Sequence, residues 1–469
     1  MAKVLVELSS ALGKRKSTSR TKASDHGAYS DDVLCYLDQG SFVGLRALGR
    51  QPVLHFTWTY QHSLDEAAVL QLNQRISQGL LGRVLQRSPL PWGRHRWVAN
   101  ATPPPVTWFR DKISPEQLPE WRSSLVGLPV DPEHGPGWRM AVQLLEGGGC
   151  ALSILISHTI GDAKASTQAV ADAVAGRQFR HEFPAPSWRW SPARLARDSL
   201  ESLRAMPGVL TAIRALVQRS REKGAVLAPH ANLPQKTSQS GSNAEVVMPL
   251  VEVVINERAC EVRAAHLGVT VNVILAAFAA RIALRMGRVD VAGRVQLVLP
   301  VSNRQPDDLR GNALQSITVM ADPESCYRNP REIQRAFKTA LAALRRYGDD
   351  VSPLLPLVPY VPLWLARRNE RMALGADFSV GCSLYGLLPK EFCSPCGEAA
   401  HLQMSPLERF RVSDIERLGG HLFLAGYQFD EKVLVSIAGY VPGTVTDRSA
   451  LKTRVSAALA DLGLEGSVW

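Results

Sequence analysis

The amino-acid sequence predicts an α+β fold built from two mixed-sheet domains. The chain has 469 residues, 45% of them hydrophobic, which exceeds the needs of one ordinary core and suits two domains of roughly 200 residues. Apolar residues at strand spacing and at helical spacing occur in both halves without strict strand–helix–strand alternation, which argues against a doubly wound parallel sheet. Residues 226–245 are rich in Pro, Ser, Gln and Gly, and this composition predicts a linker between the halves.

Residues 1–45 are predicted to be a flexible basic tail, and residues 46–225 the first domain. Residues 13–24 are basic, rich in Ser and Thr and free of acidic residues, which favours a disordered tail over a transit peptide. In the first domain, the predicted strands are residues 51–60, 92–98, 106–109, 138–145 and 152–157, and the predicted helices are residues 64–86, 163–176 and 190–225. Three glycines at 147–149 predict a hairpin turn, so the strand after them pairs antiparallel with residues 138–145.

Residues 246–469 are predicted to form the second domain. The predicted strands are residues 246–255, 294–300, 313–320, 378–384, 422–429 and 432–440, and the predicted helices are residues 258–266, 271–286, 330–347 and 448–462. Gly268 is expected to end the first of these helices, and Asn272 is a candidate N-cap for the next one.

Prolines at a period of three mark the apolar residues 351–366. Pro353, Pro356, Pro359 and Pro362 exclude a regular helix and favour a polyproline II turn or a helix entry. This segment is too short and too rich in proline to cross a membrane. Two interpretations stay open: a buried connector, or an apolar surface that contacts lipid or covers an acyl tunnel.

Composition excludes several classes of protein. The formal net charge of +11 favours acidic partners such as phosphate-rich cosubstrates, anionic membranes and acidic carrier proteins. No run of basic residues is interleaved with stacking aromatics, so a nucleic-acid partner is not expected. Seven cysteines without a disulfide or zinc spacing indicate free thiols in a reducing, cytoplasmic compartment, and no metal site is predicted.

One stretch, residues 152–170, organises the chain. Its apolar alternation predicts a strand, and His158 stands where that strand ends. Gly161 permits a tight turn, Asp162 follows, and a helix rich in small residues leaves the turn. A histidine on a loop supported by a sheet is well placed for acid–base chemistry, because its pKa lies near neutrality. An HxxxD pair alone is a weak signal, and the remaining motifs supply its context.

Further segments follow in a defined order along the chain. They are Asp131-Pro132 with Trp138-Arg139, the NVILAA run from Asn272, Pro300-Val-Ser-Asn-Arg304 with Gly311-Asn312, and DFSVG at residues 377–381. With the HxxxD turn they resemble the coenzyme A-dependent acyltransferases of the chloramphenicol acetyltransferase superfamily. Within it, the resemblance is closest to the wax ester synthase/diacylglycerol acyltransferases and the polyketide-associated acyltransferases. The DFSVG segment resembles the D-F-G-W-G of plant BAHD acyltransferases, without its tryptophan.

The resemblance implies two similar domains facing across a central cleft, with His158 as the general base of a direct acyl transfer. The family motif HHxxxDG has Ser157 in place of its first histidine and Ala163 in place of its glycine. The second histidine is the catalytic one in this superfamily. Asp162 is implied to be a structural acid paired with an arginine, for which Arg304 is the candidate; the alternative for Arg304 is a solvated surface residue.

The remaining candidates for the oxyanion or for site structure are Ser379, Ser383 and Asn272. Their alternatives are strand serines bonded to backbone and, for Asn272, a helix cap alone. The implied cosubstrate is acyl-CoA, with no permanently bound cofactor. The implied acceptor is a hydroxyl, or an amine, on a small molecule or lipid.

The sequence leaves three hypotheses for function open. The first is an acyl-CoA O-acyltransferase that makes a lipid or specialised-metabolite ester. The second takes its acyl group from an acyl carrier protein thioester. The third is a fold relative without catalysis that binds or carries a lipid or small molecule, as the changes at Ser157 and Ala163 would allow. A cytoplasmic location is expected, with peripheral membrane contact as an alternative to a freely diffusing protein.

Overall fold

The computed structural model describes residues 32–49, 52–100, 102–224, 244–326, 328–349, 352–368, 379–444 and 447–469. The helices are α1 (Tyr36–Leu48), α2 (Glu66–Ser77), α3 (Leu118–Ser124), α4 (Ala163–Val174), α5 (Pro192–Gly224), α6 (Glu257–Leu267), α7 (Val271–Arg285), α8 (Arg331–Tyr347), α9 (Leu363–Arg368), α10 (Lys390–Cys393), α11 (Val412–Arg417) and α12 (Arg448–Asp461). Short 3₁₀ segments are Pro115–Gln117, Leu125–Gly127, Glu146–Gly148 and Ser352–Tyr360.

The strands are β1 (Val53–Tyr60), β2 (Arg83–Gln86), β3 (Arg96–Ala99), β4 (Thr107–Ile113), β5 (Trp138–Leu145), β6 (Cys150–Ser157), β7 (Glu245–Val247), β8 (Leu250–Asn256), β9 (Val295–Ser302), β10 (Leu314–Ala321), β11 (Val380–Leu387), β12 (His401–Leu407), β13 (Arg409–Arg411), β14 (His421–Phe429), β15 (Lys432–Tyr440) and β16 (Gly466–Val468). They form a five-stranded sheet, β12-β1-β6-β5-β4, a seven-stranded sheet, β10-β9-β11-β14-β15-β8-β16, and two small pairs. Both large sheets mix parallel and antiparallel neighbours, which confirms the predicted α+β class.

Strand β6 lies at the centre of the first sheet, antiparallel to β1 on one side and to β5 on the other. All eight of its residues are buried, as expected for a strand covered on both faces. The predicted hairpin between β5 and β6 is therefore confirmed. The strand is a rigid base for the turn that follows it.

Each large sheet has its own apolar core. The second core is built on α7, whose alanines and branched residues are almost all buried against the seven-stranded sheet. The first core also receives Tyr427, Phe429 and Leu434 from the second sheet. The two halves are thus packed against each other and do not act as separate bodies joined only by a linker.

The structure corrects the predicted domain boundaries at two places. Residues 36–48 belong to α1 and not to a tail, because Phe42 and Leu45 are buried and Cys35 caps the helix. Strand β12, from the second half, pairs with β1 and so completes the first sheet. Residues 1–31 of the predicted tail, and residues 226–243 of the predicted linker, lie outside the described residues.

Two local predictions were also wrong, whereas the helix entry predicted as one alternative for the proline-rich segment is confirmed. The helix predicted over residues 64–86 ends at Ser77, since glycines interrupt the pattern, and residues 83–86 form β2. The N-cap of α7 is Thr270, so Asn272 is an exposed residue of its first turn. The proline-rich segment is a 3₁₀ helix that leads into α9 and contacts α5, where Pro356 lies 3.8 Å from the position of a Gly208 Cβ.

Among the described residues, no single helix combines the length and apolarity needed to cross a bilayer. Helices α6 and α7 meet that criterion only together, by length and composition, with a 91° bend between them.

Candidate active site

The turn after β6 is held by backbone hydrogen bonds on both sides. The His158 amide donates to the carbonyl of Pro52 at 3.0 Å, and the Ile160 amide donates to the carbonyl of Ser157 at 3.0 Å. The buried Ser157 hydroxyl accepts from the Thr159 amide at 3.3 Å. Ser157 therefore stabilises the turn itself, and Ala163, as the first residue of α4, needs only ordinary helical backbone.

The imidazole of His158 is half-buried and is oriented by Asn312, from the loop between β9 and β10. Its Nδ1 lies 2.9 Å from Asn312 Oδ1. The Asn312 amide nitrogen donates to the His158 carbonyl and to Asp38 Oδ1, each at 2.9 Å, so the amide orientation is set by two acceptors. It follows that Nδ1 of His158 carries the proton and that Nε2 keeps its lone pair.

Burial lowers the pKa of His158 below its ordinary value of 6.5. Hydrogen bonding to its own backbone, the charge of Asp162 and the Asn312 hydrogen bond oppose this effect in part. Desolvation disfavours the imidazolium, so the neutral ring is the dominant form at neutral pH. A neutral ring with Nδ1–H fixed can accept a proton at Nε2.

Asp162 does not face the reacting side of the turn but ties it to the second half. Its Oδ1 accepts from the Ala165 amide at 2.7 Å, which makes Asp162 the N-cap of α4. Its Oδ2 accepts from Arg304 Nη2 at 2.9 Å and from the Ala313 amide at 2.8 Å. The ion pair is nearly inaccessible, with side-chain exposures of 8% for Arg304 and 1% for Asp162.

The loop at 303–313 is held from the first half by two further charged side chains. Asp38 of α1 accepts from the amides of Gly311 and Asn312, at 2.9 and 2.6 Å. Arg83 of β2 donates to the carbonyls of Leu309 and Ile160, at 2.5 and 2.8 Å. Burial raises the pKa of Asp38, and the charge of Arg83 opposes that rise. The site is thus a junction between the β6–α4 turn and the β9–β10 loop.

The structure separates the two predicted serines. Ser383 and Tyr385 are two residues apart on β11, beside an irregularity in its pairing with β14. Burial raises the pKa of Tyr385 to about 12, a hydrogen bond from Ser383 opposes this, and the charge of Asp162 adds to it. Tyr385 therefore lies within electrostatic range of the HxxxD turn.

Ser379 lies directly before the first residue of β11, and its carbonyl accepts a hydrogen bond from Arg288 at 3.4 Å. The parallel register of β11 on β9 pairs Val380 with Leu297, early in β9, whereas Arg304 follows the end of that strand. The exposed Asn272 belongs to the second core's helix α7. The structure does not bring these two residues to His158.

Four residues of the site were missed or left without a role by sequence reasoning, among them Arg83, which fell in a segment predicted to be helical. Asn312 was noted only as part of a motif, and Asp38 fell in the predicted tail. Tyr385 lies one residue beyond the strand predicted over residues 378–384 and was not considered with Ser383.

A cavity of about 310 Å³ lies beside β6 and β1, close to the turn. Its lining includes Leu155, two residues before Ser157, and Val53, which pairs with Ser157 across the sheet. Apolar residues share the lining with Arg409 and Arg411. Its size is at the lower end of what small-molecule sites occupy.

No family model matches the sequence, and no curated protein matches it by sequence comparison. Solved structures do match. The wax ester synthase/diacylglycerol acyltransferase from Marinobacter aquaeolei VT8 matches with a TM-score of 0.50 at 16% identity, covering 92% of this chain and 100% of that one. TRI101 from F. sporotrichioides, solved with coenzyme A and T-2, matches with a TM-score of 0.55 at 12% identity, covering 93% of this chain and 99% of that one.

The nonribosomal peptide synthetase FmoA3 matches with a TM-score of 0.52 at 17% identity. That match covers 92% of this chain but only 42% of FmoA3, so this chain corresponds to a part of that larger protein. At these identities the similarity concerns the fold. The chain has the fold of the coenzyme A-dependent acyltransferases, whose sequence motifs its own motifs resemble.

Proposed function

We propose that the protein is an acyltransferase that moves an acyl group from acyl-CoA to a hydroxyl acceptor. The observation that carries this proposal is the half-buried His158, whose Nδ1 is hydrogen-bonded to Asn312 and whose pKa is lowered by burial. This is the tautomer and protonation state that a general base near neutral pH requires. The acyltransferase fold supports the same reaction class.

In the proposed reaction, Nε2 of His158 takes the proton of the acceptor hydroxyl as its oxygen attacks the thioester carbonyl. A C–O bond forms and a tetrahedral oxyanion results. When the intermediate collapses, the C–S bond breaks and the imidazolium returns its proton to the thiolate. The products are an ester and free coenzyme A thiol, so atoms and charge balance without a covalent enzyme intermediate.

Tyr385 and Ser383 are the proposed oxyanion donors. A phenol with a pKa of about 12 stays protonated at neutral pH and can donate a hydrogen bond. Asp162 and Arg304 are assigned a structural role, because both Asp162 oxygens are engaged by the helix N-terminus and by the second half.

The test is thiol release from a panel of acyl-CoAs with and without alcohols. Wild type should release thiol in an alcohol-dependent way, and His158→Ala should lower kcat/KM by about 10²- to 10⁴-fold, the usual contribution of a general base. His266→Ala, an exposed histidine in the last turn of α6, is the matched control and should keep the wild-type rate.

Two outcomes would replace this proposal. Transfer from an acyl carrier protein thioester but not from acyl-CoA would change the donor. Binding of lipid or alcohol without transfer from either thioester would indicate a non-catalytic relative. An unchanged rate in His158→Ala would remove His158 as the base.

A further inference from the structure

Helix α5 presents an apolar stripe that does not face the core. The stripe consists of Leu203, Met206, Leu210, Ile213 and Val217, which are exposed by 68%, 38%, 49%, 44% and 44%. Spacings of three and four residues place these five side chains on one side of the helix.

A different side of α5 packs against the protein. Ala205, Val209 and Ala212 of this inner side are exposed by 7%, 5% and 0%. The helix is therefore anchored through one face and displays a second apolar face outward. Isolated exposed apolar residues are ordinary, but a continuous stripe over five positions marks an interaction surface.

The proline-rich 3₁₀ segment Ser352–Tyr360 extends this surface. The Tyr360 hydroxyl lies 3.9 Å from the sulfur of Met206, so the two segments lie side by side at the stripe. Tyr360 and, in the helix that follows, Trp364 are exposed by 39% and 63%. Tyrosine and tryptophan are the side chains most suited to the boundary between water and lipid, since each has an apolar body and a polar edge.

The acidic and basic side chains of α5 also differ in whether they face the protein or the solvent. Its two carboxylates between residues 192 and 218, Asp198 and Glu201, turn inward and bind Arg96 at 2.8 Å each. Arg204 and Arg214 are both exposed; at 100° per residue Arg214 borders the stripe, and Arg204 lies on another flank of the helix. Both carboxylates of residues 192–218 are bound to Arg96 and are not offered to Arg214 of a second copy, whereas a surface of anionic lipids would complement this arginine.

We propose that α5 and the adjoining residues of the 3₁₀ segment form a docking surface for an anionic lipid bilayer. The apolar stripe enters the interface while Arg214 contacts headgroup phosphates. Such a combination of apolar and basic signals is what reversible membrane binding by an interfacial helix requires. This proposal is independent of the chemistry at His158.

The test is co-sedimentation of the full chain with phosphatidylcholine vesicles, with and without phosphatidylglycerol. Wild type should bind the vesicles that contain phosphatidylglycerol, and added salt should weaken that binding. The double variant Leu210→Glu/Ile213→Glu should bind at least about tenfold more weakly, because it lacks the two apolar side chains that wild type transfers from water into the membrane interface. Arg214→Gln should lose about fivefold on phosphatidylglycerol vesicles, since a basic residue near an anionic surface contributes about 1 kcal/mol.

Val291→Glu is the matched control, because Val291 is exposed by 78% in a turn remote in sequence from α5. It should bind vesicles as wild type does, and all variants should keep the wild-type melting temperature, since the altered side chains are exposed. Wild type that stays in the supernatant, or vesicle binding unchanged in Leu210→Glu/Ile213→Glu, would overturn the proposal. A wild-type dimer that the same variant dissociates, without vesicle binding, would assign the stripe to a second copy instead.

Discussion

At the scale of single residues, the site depends on the hydrogen bond between Nδ1 of His158, from the first half, and Asn312, from the second half. Asn312 occupies Nδ1, and its own amide nitrogen is occupied by Asp38 and by the His158 carbonyl. Asn312 is therefore a positioning residue in the proposed mechanism, because it acts on the reaction through the histidine. Its contribution can be separated from a merely structural one by pH dependence.

Because burial lowers the pKa of His158, the neutral base persists to a pH below 6.5, and activity should fall only as the pH drops through the folded-state pKa. The free energy of unfolding depends on pH in the same direction. The contribution of His158 is complete above its unfolded-state pKa and is lost as the pH falls towards its folded-state pKa. The acid limb of kcat/KM, measured with acyl-CoA and an alcohol, should therefore lie below pH 6.5.

The pH profile of Asn312→Ala separates a positioning role from a merely structural one, because a structural loss alone would not shift the acid limb. The Asn312 hydrogen bond raises the pKa of His158, so its loss should shift the acid limb to a still lower pH while the maximal rate falls at least about tenfold. A lower rate with an unchanged acid limb would contradict the positioning role.

At the scale of structural elements, the β9–β10 loop approaches the HxxxD turn closely enough to require a glycine. A Cβ at Gly311 would lie 2.9 Å from Asp38 Oδ1, 2.9 Å from the Thr159 carbonyl and 3.0 Å from the Ile160 carbonyl. Two of these three atoms are backbone, which cannot yield as a flexible side chain can. The loop and the turn are therefore packed backbone to backbone at this point.

Gly311→Ala should push the loop away from the turn and separate Asn312 from His158. We expect a loss of about 1–3 kcal/mol in the free energy of unfolding, as for other overpacked sites, together with a large loss of activity. Urea unfolding and the thiol-release assay would measure both effects. Gly127→Ala, where a Cβ meets nothing within 4 Å, should be near neutral, and equal effects of the two substitutions would contradict this account.

At the scale of the whole molecule, the two halves are joined by a strand and by a buried ion pair. Strand β12 crosses from the second half into the first sheet, and Arg304 reaches from the second half to Asp162 at 2.9 Å. A buried pair costs desolvation when it forms, but removal of one partner leaves the other charge uncompensated. The pair therefore holds the site together more than it adds to net stability.

Asp162→Asn and Arg304→Met should each reduce the free energy of unfolding by about 3–5 kcal/mol, and the double variant should lose less than the sum. Denaturant unfolding of the four proteins would give the coupling energy. The exposed pair Arg110–Glu66 is a matched control, whose removal should leave the free energy of unfolding nearly unchanged because solvent screens it. Additive losses, or variants that lose rate and keep full stability, would argue against a structural role for Asp162.

Local pattern predicted most elements well, and its failures have physical causes. The strand before His158, its hairpin partner and the helix that Gly268 ends were all predicted, because period and turn chemistry are short-range properties. Strand β12 was not predicted, since His401–Leu407 becomes a strand by pairing with β1, more than 300 residues earlier in the chain. Helix α1 was missed because its basic, serine-rich surroundings resemble a tail.

The sequence by itself determined the α+β class, the position of His158 at a strand end and the family resemblance, because these depend on residue type and spacing along the chain. Only the tertiary structure decided that Asn312, itself held by Asp38, orients the imidazole, that Arg304 meets Asp162 and that Ser379 lies before the start of β11. The physical reason is that a side chain's partner is chosen by distance in space. The distances between these halves are set by how two sheets pack, which no local pattern encodes.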